Sequence, residues 1–268
     1  MSQIHGSAVI SAEAKLADDV KVGPNCVIAS GVEVGSGTIF EANVVVGKDV
    51  KIGKDNHFFP NCSIGGWPQI LGVKDDSQFG KLEIGDGNTI REQVTIHPSM
   101  HKGGLTKVGN NNLFMIGVHI GHDCVIEDMI VMSNYVQISG HCHIGKGVWL
   151  SGMVLLHQFI TLGNWCYAAG MAGINHDVPP FVIISGHYPP RVRGVNKRGL
   201  SRAGLDEQAQ QNVMRAYKML YRRGGSLLVN ANALAEEDWI DDDVRAMIDV
   251  IVNSNKHRFG RYLETFRD

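Results

Sequence analysis

A large aliphatic or aromatic side chain recurs at every sixth residue of this chain. It occupies Ile4, Ile10, Leu16, Val22, Ile28, Val34, Phe40, Val46, Ile52, Phe58 and Ile64 without a miss, and resumes at Ile84, Ile90 and Ile96. It then runs from Val108 through Phe114, Ile120, Ile126, Met132, Ile138, Ile144, Leu150, Leu156 and Leu162 to Ile174, with Ala168 a weaker member. Helices repeat at about 3.6 residues and simple strands at about 2, so neither accounts for it. Counting the large residue as the first hexad position, the fifth holds a small side chain, such as Ala8, Ala14, Val20, Cys26, Val32 or Thr38. The second is glycine ten times, Gly53 and Gly121 among them. This pattern predicts a parallel β-helix of hexapeptides. In its triangular form each hexad is one flat side, eighteen residues close a turn, and residues eighteen apart stack.

Composition agrees. Glycine supplies 32 of the 268 residues, about 12% against a usual value near 7%, and a coil that turns tightly at each corner gives the surplus a place. Glycine does not recur every third residue, which excludes collagen, and plentiful Ile, Val, Leu and Met exclude disorder. No apolar run reaches the roughly 18 to 20 residues that span a bilayer, and Met1–Ile10 lacks a signal-peptide core, so a cytoplasmic protein with no membrane span is expected. The five cysteines (Cys26, Cys62, Cys124, Cys142 and Cys166) all take the small inward position, which marks them as packed free thiols.

The period fails twice, and these failures predict loops at residues 67–81 and 98–106. After Pro179-Pro180 it fades. Leu205–Arg223 then places Val213, Ala216, Tyr217 and Leu220 on one helical face, and Asp241 is a candidate cap for a second helix. The domains expected are a β-helix over residues 1–189 and a small helical domain over 190–268.

Seven of twelve histidines fall between His97 and His157. His122 holds a third hexad position, one coil below it is Gly140 and a further coil below is Gln158, so these three should form a column. His141 and His157 flank that column, and His97 and His157 take the position where glycine is common. Clustered imidazoles beside backbone N–H groups suit general-base catalysis with an oxyanion site. Three neutral imidazoles could equally hold zinc, as in a carbonic-anhydrase-like metalloprotein.

Segments along the chain carry a resemblance, among them Ile84-Gly85-Asp86 through Ile90-Arg91-Glu92, Val94-Thr95-Ile96-His97, Gly103-Gly104-Leu105-Thr106-Lys107-Val108-Gly109 and Ala216-Tyr217-Lys218. His119-Ile120-Gly121-His122-Asp123-Cys124, Ser139-Gly140-His141, Val154-Leu155-Leu156-His157-Gln158-Phe159, Asp177-Val178-Pro179-Pro180 and Gly194-Val195-Asn196 are similar to motifs of the acyl-carrier-protein-dependent UDP-N-acetylglucosamine O-acyltransferases. The resemblance runs the length of the chain in order. It implies a left-handed coil, a homotrimer, and transfer of a 3-hydroxyacyl chain from acyl carrier protein to the 3-hydroxyl of the nucleotide sugar, the first step of lipid A biosynthesis. It implies His122 as the general base, Asp123 as the carboxylate orienting it, and Gly140 as the oxyanion N–H donor. His119, His141, His157 and Gln158 match residues lining the sugar and acyl site, and His97 and Gln69 lie near the nucleotide sugar. Asn196 and Arg202 match ligand contacts past the coil, and Gly170 the floor of the acyl groove. Neither metal nor other cofactor is implied, the donor being carried on the phosphopantetheine of acyl carrier protein.

The chain departs from the family in the first loop, where Ile70 and Gly72 replace charged residues, and at Arg198, where an acidic residue is more usual. A paralogue acting on another UDP-sugar, or on a 3-amino sugar, is the alternative these changes raise. Between Tyr188 and Gly224 nine basic residues face only Asp206 and Glu207, a local charge of +7 in a chain of net charge −2. Such a patch suits an acidic protein such as acyl carrier protein. A pI of about 6.6 and the lack of a recognised motif speak against nucleic acid.

Overall fold

The computed structural model describes residues 3–72, 75 and 78–267. Two-residue strands stack into three parallel sheets, here faces A, B and C, with 11, 9 and 8 strands. The pairing follows the hexad register: Val22 pairs with Phe40 on face A, Val27 with Val45 on face B, and Lys15 with Glu33 on face C. First-position side chains point inward and stack into columns, with the Phe40 and Phe58 rings parallel at 4.9 Å. The fifth position is equally buried, from Val20 and Cys26 to Val148 and Cys166. All five cysteines are buried free thiols, as expected. Between faces C and A that fifth position also holds polar residues. Thr38, Asn56, Asn88 and Asn112 are buried one above another, each Asn amide serving the next coil's backbone, as when Asn88 and Asn112 N–H donate to Asn56 and Asn88 Oδ1 at 2.9 Å. These hydrogen bonds offset much of the desolvation that burying the amides costs, although Asn112 Nδ2 is buried without a partner.

The reason for second-position glycine differs from the one expected. The left-handed turn is made at the fourth position, by residues such as Asn25 (φ 57°), Asp123 (59°) and His141 (59°). At Gly53 the difficulty is the neighbouring coil: a Cβ there would lie 2.7 Å from the Gly85 carbonyl oxygen. Glycine in this slot lets coils approach to hydrogen-bonding distance.

Both loops leave the coil between face B and face C. Phe58 pairs with Ile90 and Ile90 with Phe114, whereas Val22 pairs with Phe40, so the chain inserts residues twice without disturbing the stacking. Each loop ends slightly earlier than predicted, because Lys81–Ile84 and Leu105–Val108 are face C strands that pair with one another and bury Leu82 and Thr106. Residues 73, 74, 76 and 77 of the first loop lie outside the described residues.

Face A continues past residue 190 as a hairpin: Val182–Ser185 pairs antiparallel with Arg191–Val195. Helices follow: α1 (Lys197–Arg202), α2 (Glu207–Tyr221), α3 (Leu227–Ala235) and α4 (Asp242–Ser254). Asp206 and Asp241 cap α2 and α4, accepting from Ala209 and Val244 N–H. Helix α2 buries Val213, Ala216, Tyr217 and Leu220, the face read from the sequence. Helix α3, the hairpin and a 3₁₀ turn at Tyr262–Phe266 carried no periodic signal. No helix is long and apolar enough to cross a membrane.

Candidate active site

The corner between faces B and C gathers the unusual side chains. After each face B strand the chain turns through residues 65–66, 97–98, 121–123, 139–141, 157–159 and 175–177, so His97, His122, Asp123, Gly140, His141, His157 and Gln158 share one edge of the prism. His122 sits directly over Gly140: a Cβ at Gly140 would lie 2.6 Å from His122 Cε1 and 2.8 Å from Nε2. The predicted column therefore exists, and glycine holds its middle because the imidazole fills the space.

His122 Nδ1–H donates to Asp123 Oδ2 at 2.8 Å, which leaves Nε2 with its lone pair free. Two further donors hold the carboxylate, and a third bond holds the Asp123 backbone. Ser99 Oγ, itself buried, donates to Asp123 Oδ1, the Met100 N–H donates to Oδ2 at 3.1 Å, and the Asp123 N–H donates to Thr106 Oγ1 at 2.7 Å. Burial pushes the Asp123 carboxyl up, but the hydrogen bonds from His122, Ser99 and Met100 outweigh it and hold it below the ordinary carboxylate range. An ionised, immobilised carboxylate thus fixes the imidazole's tautomer and awaits its positive charge.

Gly140 N–H donates to no group among the described residues. The third hexad position does not need its N–H for the coil, which is why Pro24, Pro60 and Pro98 can occupy it elsewhere. Gly140 thus combines an N–H not spent on the coil with close contact to the His122 ring, an arrangement that could place a base beside an oxyanion donor. The cavity there holds about 340 Å³ and is lined by His122, His141, Gln158, Met100 and Ile70.

The other histidines surround this pair. His119, on face B, shares a hydrogen bond of 2.9 Å between its Nδ1 and Thr95 Oγ1, and burial, with His97 and His122 nearby, pushes it down to about 4. His97 donates from Nδ1 to the Gly66 carbonyl at 3.0 Å, and burial lowers it too. Its Nε2 is buried with no partner, an acceptor placed for a ligand's donor group. His141 stacks on Phe159 at 4.4 Å and is likewise lowered by burial, while Asp123 works in the other direction. His157 donates from Nδ1 to the Gln158 carbonyl at 3.1 Å. Gln69 is exposed on the first loop, next to Ile70.

Three predicted site residues lie elsewhere on the chain. Gly170 is at the corner between faces A and B, stacked on Gly152. Asn196 and Arg202 flank a separate cavity of about 290 Å³ beside face A, together with Trp149, Trp165 and the divergent Arg198. Arg202 covers the Trp149 ring at 4.8 Å. Asn196 is also the cap of α1, accepting from Gly199 N–H at 3.1 Å and donating to the Trp165 carbonyl at 2.8 Å.

Sequence reading missed the supporting residues. Ser99, Met100 and Thr106 belong to a stretch read only as loop, and the place where the period fails was the one available sign of them. Asp177 repeats the position of Asp123 three coils below, but its carboxylate accepts from Thr161 N–H and Tyr262 N–H at 2.8 Å. Burial pushes it up to about 6. It anchors the chain after α4, which brings Phe266 and Arg267 to the cavity, with the Arg267 guanidinium 5.7 Å from the Phe159 ring.

Two family models match: "Udp N-acetylglucosamine O-acyltransferase; Domain 2" over residues 177–259, and "Bacterial transferase hexapeptide (six repeats)" over residues 13–48. The chain is 37% identical, over 95% of its length and 96% of the relative's, to the acyl-[acyl-carrier-protein]–UDP-N-acetylglucosamine O-acyltransferase of Stenotrophomonas maltophilia. The crystal structure of UDP-N-acetylglucosamine acyltransferase from Francisella novicida superimposes with a TM-score of 0.87 at 35% identity, covering 96% of this chain and 93% of that one. The corresponding protein of Bacteroides fragilis gives 0.87 at 33%, covering 94% and 97%.

Proposed function

The chain belongs to the UDP-N-acetylglucosamine O-acyltransferase family, and on that premise we propose that it moves a 3-hydroxyacyl chain from acyl carrier protein to the 3-hydroxyl of UDP-N-acetylglucosamine, at the start of lipid A biosynthesis. The observation that carries this reading is the pairing of His122 with an ionised Asp123 directly over Gly140, whose N–H donates to no group among the described residues. His122 Nε2 takes the proton of the sugar 3-hydroxyl as that oxygen attacks the thioester carbonyl. Gly140 N–H receives the charge that develops on the carbonyl oxygen, and Asp123 stabilises the imidazolium. As the tetrahedral intermediate collapses, the carbon–sulfur bond breaks, and His122 returns its proton to the departing phosphopantetheine thiolate. No metal or other cofactor enters these steps.

His97, with its unpartnered buried Nε2, supports a contact to a donor group of the sugar, with His119 and Gln69 beside it. His141, His157 and Gln158 border the reacting atoms. Gly170, Asn196 and Arg202 lie off the corner within one chain, which fits a homotrimer in which a neighbouring copy brings them to the His122 column. There Gly170 would bound the acyl groove and Asn196 and Arg202 would contact the nucleotide sugar. The basic segment between Tyr188 and Gly224 supplies the charge for docking acyl carrier protein, and a cytoplasmic site of action accords with these substrates. The relatives' names favour UDP-N-acetylglucosamine over a different sugar or a 3-amino sugar, and an acyltransferase over a carbonic-anhydrase-like metalloprotein.

The test is acyl transfer from 3-hydroxyacyl carrier proteins to a panel of UDP-sugars. Ester formation on UDP-N-acetylglucosamine that disappears in His122→Ala, with fold and assembly unchanged, is the expected outcome; unaltered turnover in that variant would sink the assignment of the base.

A further inference from the structure

We propose that His101, Asp123 and His141 form a site for one divalent transition-metal ion of the zinc type, and that filling it disables the His122–Asp123 pair. One ligand atom from each of the three lies within 4.8 Å of the others. His141 Nε2 is 3.9 Å from Asp123 Oδ2, and the His101 and His141 rings lie 5.9 Å apart. Zinc ligands sit roughly 2.0 to 2.2 Å from the ion, so His101, exposed on the second loop, needs only a modest shift to close the site. Asp123 and His141 are already fixed by the column. Two imidazoles and one carboxylate suit zinc, nickel or copper, whereas magnesium and calcium call for an all-oxygen shell.

An outer shell is present. Ser99 Oγ donates to Asp123 Oδ1 and accepts from the His101 N–H at 3.0 Å, tying the loop ligand to the carboxylate it would share an ion with. The effect on chemistry follows from one shared atom. Asp123 Oδ2 accepts from His122 Nδ1 and Met100 N–H, so an ion that takes a lone pair of Oδ2 competes with His122 for it. His122 then loses the partner that fixes its tautomer and balances its charge. This inhibitory consequence rests on the acyltransferase reading; the binding itself does not.

The test uses the full chain freed of metal and titrated with zinc by calorimetry and with cobalt by visible absorption. One ion per chain is expected, with a low-symmetry cobalt spectrum. Affinity should fall at least tenfold in His101→Ala and stay unchanged in His187→Ala, a histidine remote from the corner. Zinc inhibition, taken as the ratio of rates with and without metal within each protein, should be lost in His101→Ala. Absence of stoichiometric binding, or His101→Ala binding zinc as tightly as the unaltered chain, overturns the site. Binding that depends on His101 in a metal-free protein with no acyl transfer leaves the site standing and overturns the functional reading instead.

Discussion

The His122 imidazole occupies the space that a side chain at residue 140 would need: a Cβ on Gly140 falls 2.6 Å from His122 Cε1. Gly140 has no positive φ to require glycine, so Gly140→Ala keeps the turn and acts by displacing the ring. A misplacement near 1 Å costs on the order of 100-fold in rate. We predict a loss of that size in kcat/KM with the melting temperature little changed, measured by steady-state kinetics beside thermal denaturation.

Asp123→Asn preserves size but removes the charge that pairs with an imidazolium and allows the amide to present N–H toward His122. By the general behaviour of such orienting carboxylates, kcat should fall on the order of 10³- to 10⁴-fold. Ser99→Ala removes one of the donors that hold Asp123 below its usual range. It should cost less, and the carboxyl's titration, followed by NMR, should move upward. An unmoved titration would remove Ser99 from the positioning network.

His119 is pushed by burial from 6.5 down to about 4. Its folded value lies below its unfolded one, so the unfolded chain binds the extra proton between those values. The associated stability is complete above about pH 6.5 and is lost as pH falls toward 4. His97, His141 and His176 are lowered as well and act with the same sign, while Asp177, raised to about 6, acts with the opposite one. Melting temperature should therefore decline on acidification through this window. His119→Gln, which can keep the bond to Thr95, should flatten the decline.

Asp177 holds Tyr262 by a charge-assisted hydrogen bond of 2.8 Å, and the Asp177 N–H donates to the Gly260 carbonyl at 2.7 Å. In Asp177→Ala the first of these is lost together with the bond from Thr161 N–H, at a cost of about 1 to 3 kcal/mol after the relief of burying a carboxylate. Hydrogen exchange should show the Tyr262 amide losing protection, while amides such as His119, deep in the coil, retain theirs.

The coil and its column were legible because a fixed period converts distance along the chain into distance in space. Once Ile120 and Ile138 are known to stack, His122 must lie over Gly140. The second-position glycines were located for the wrong reason: the turn is made at the fourth position, and a clash with the next coil was not visible from a local pattern. Ser99 and Asp123 are 24 residues apart and Asp177 and Tyr262 are 85 apart. Neither separation is a multiple of the eighteen-residue coil, so loop and tail contacts had no signal to follow. Asn88 and Asn112 were missed because the inward slot was read only as small, and a polar column is stable there by bonding along its own axis.

Both departures of the chain from its coil occur between face B and face C, one turn apart, and the stacking on either side is undisturbed. Loop segments can therefore be lengthened, shortened or exchanged at that edge while the core keeps its register. A change such as Ile70 or Gly72 in the first loop carries no debt in the stacked interior. If the first loop reads the sugar as proposed, selectivity and foldability vary almost independently here, which makes this edge the place to graft loops from relatives.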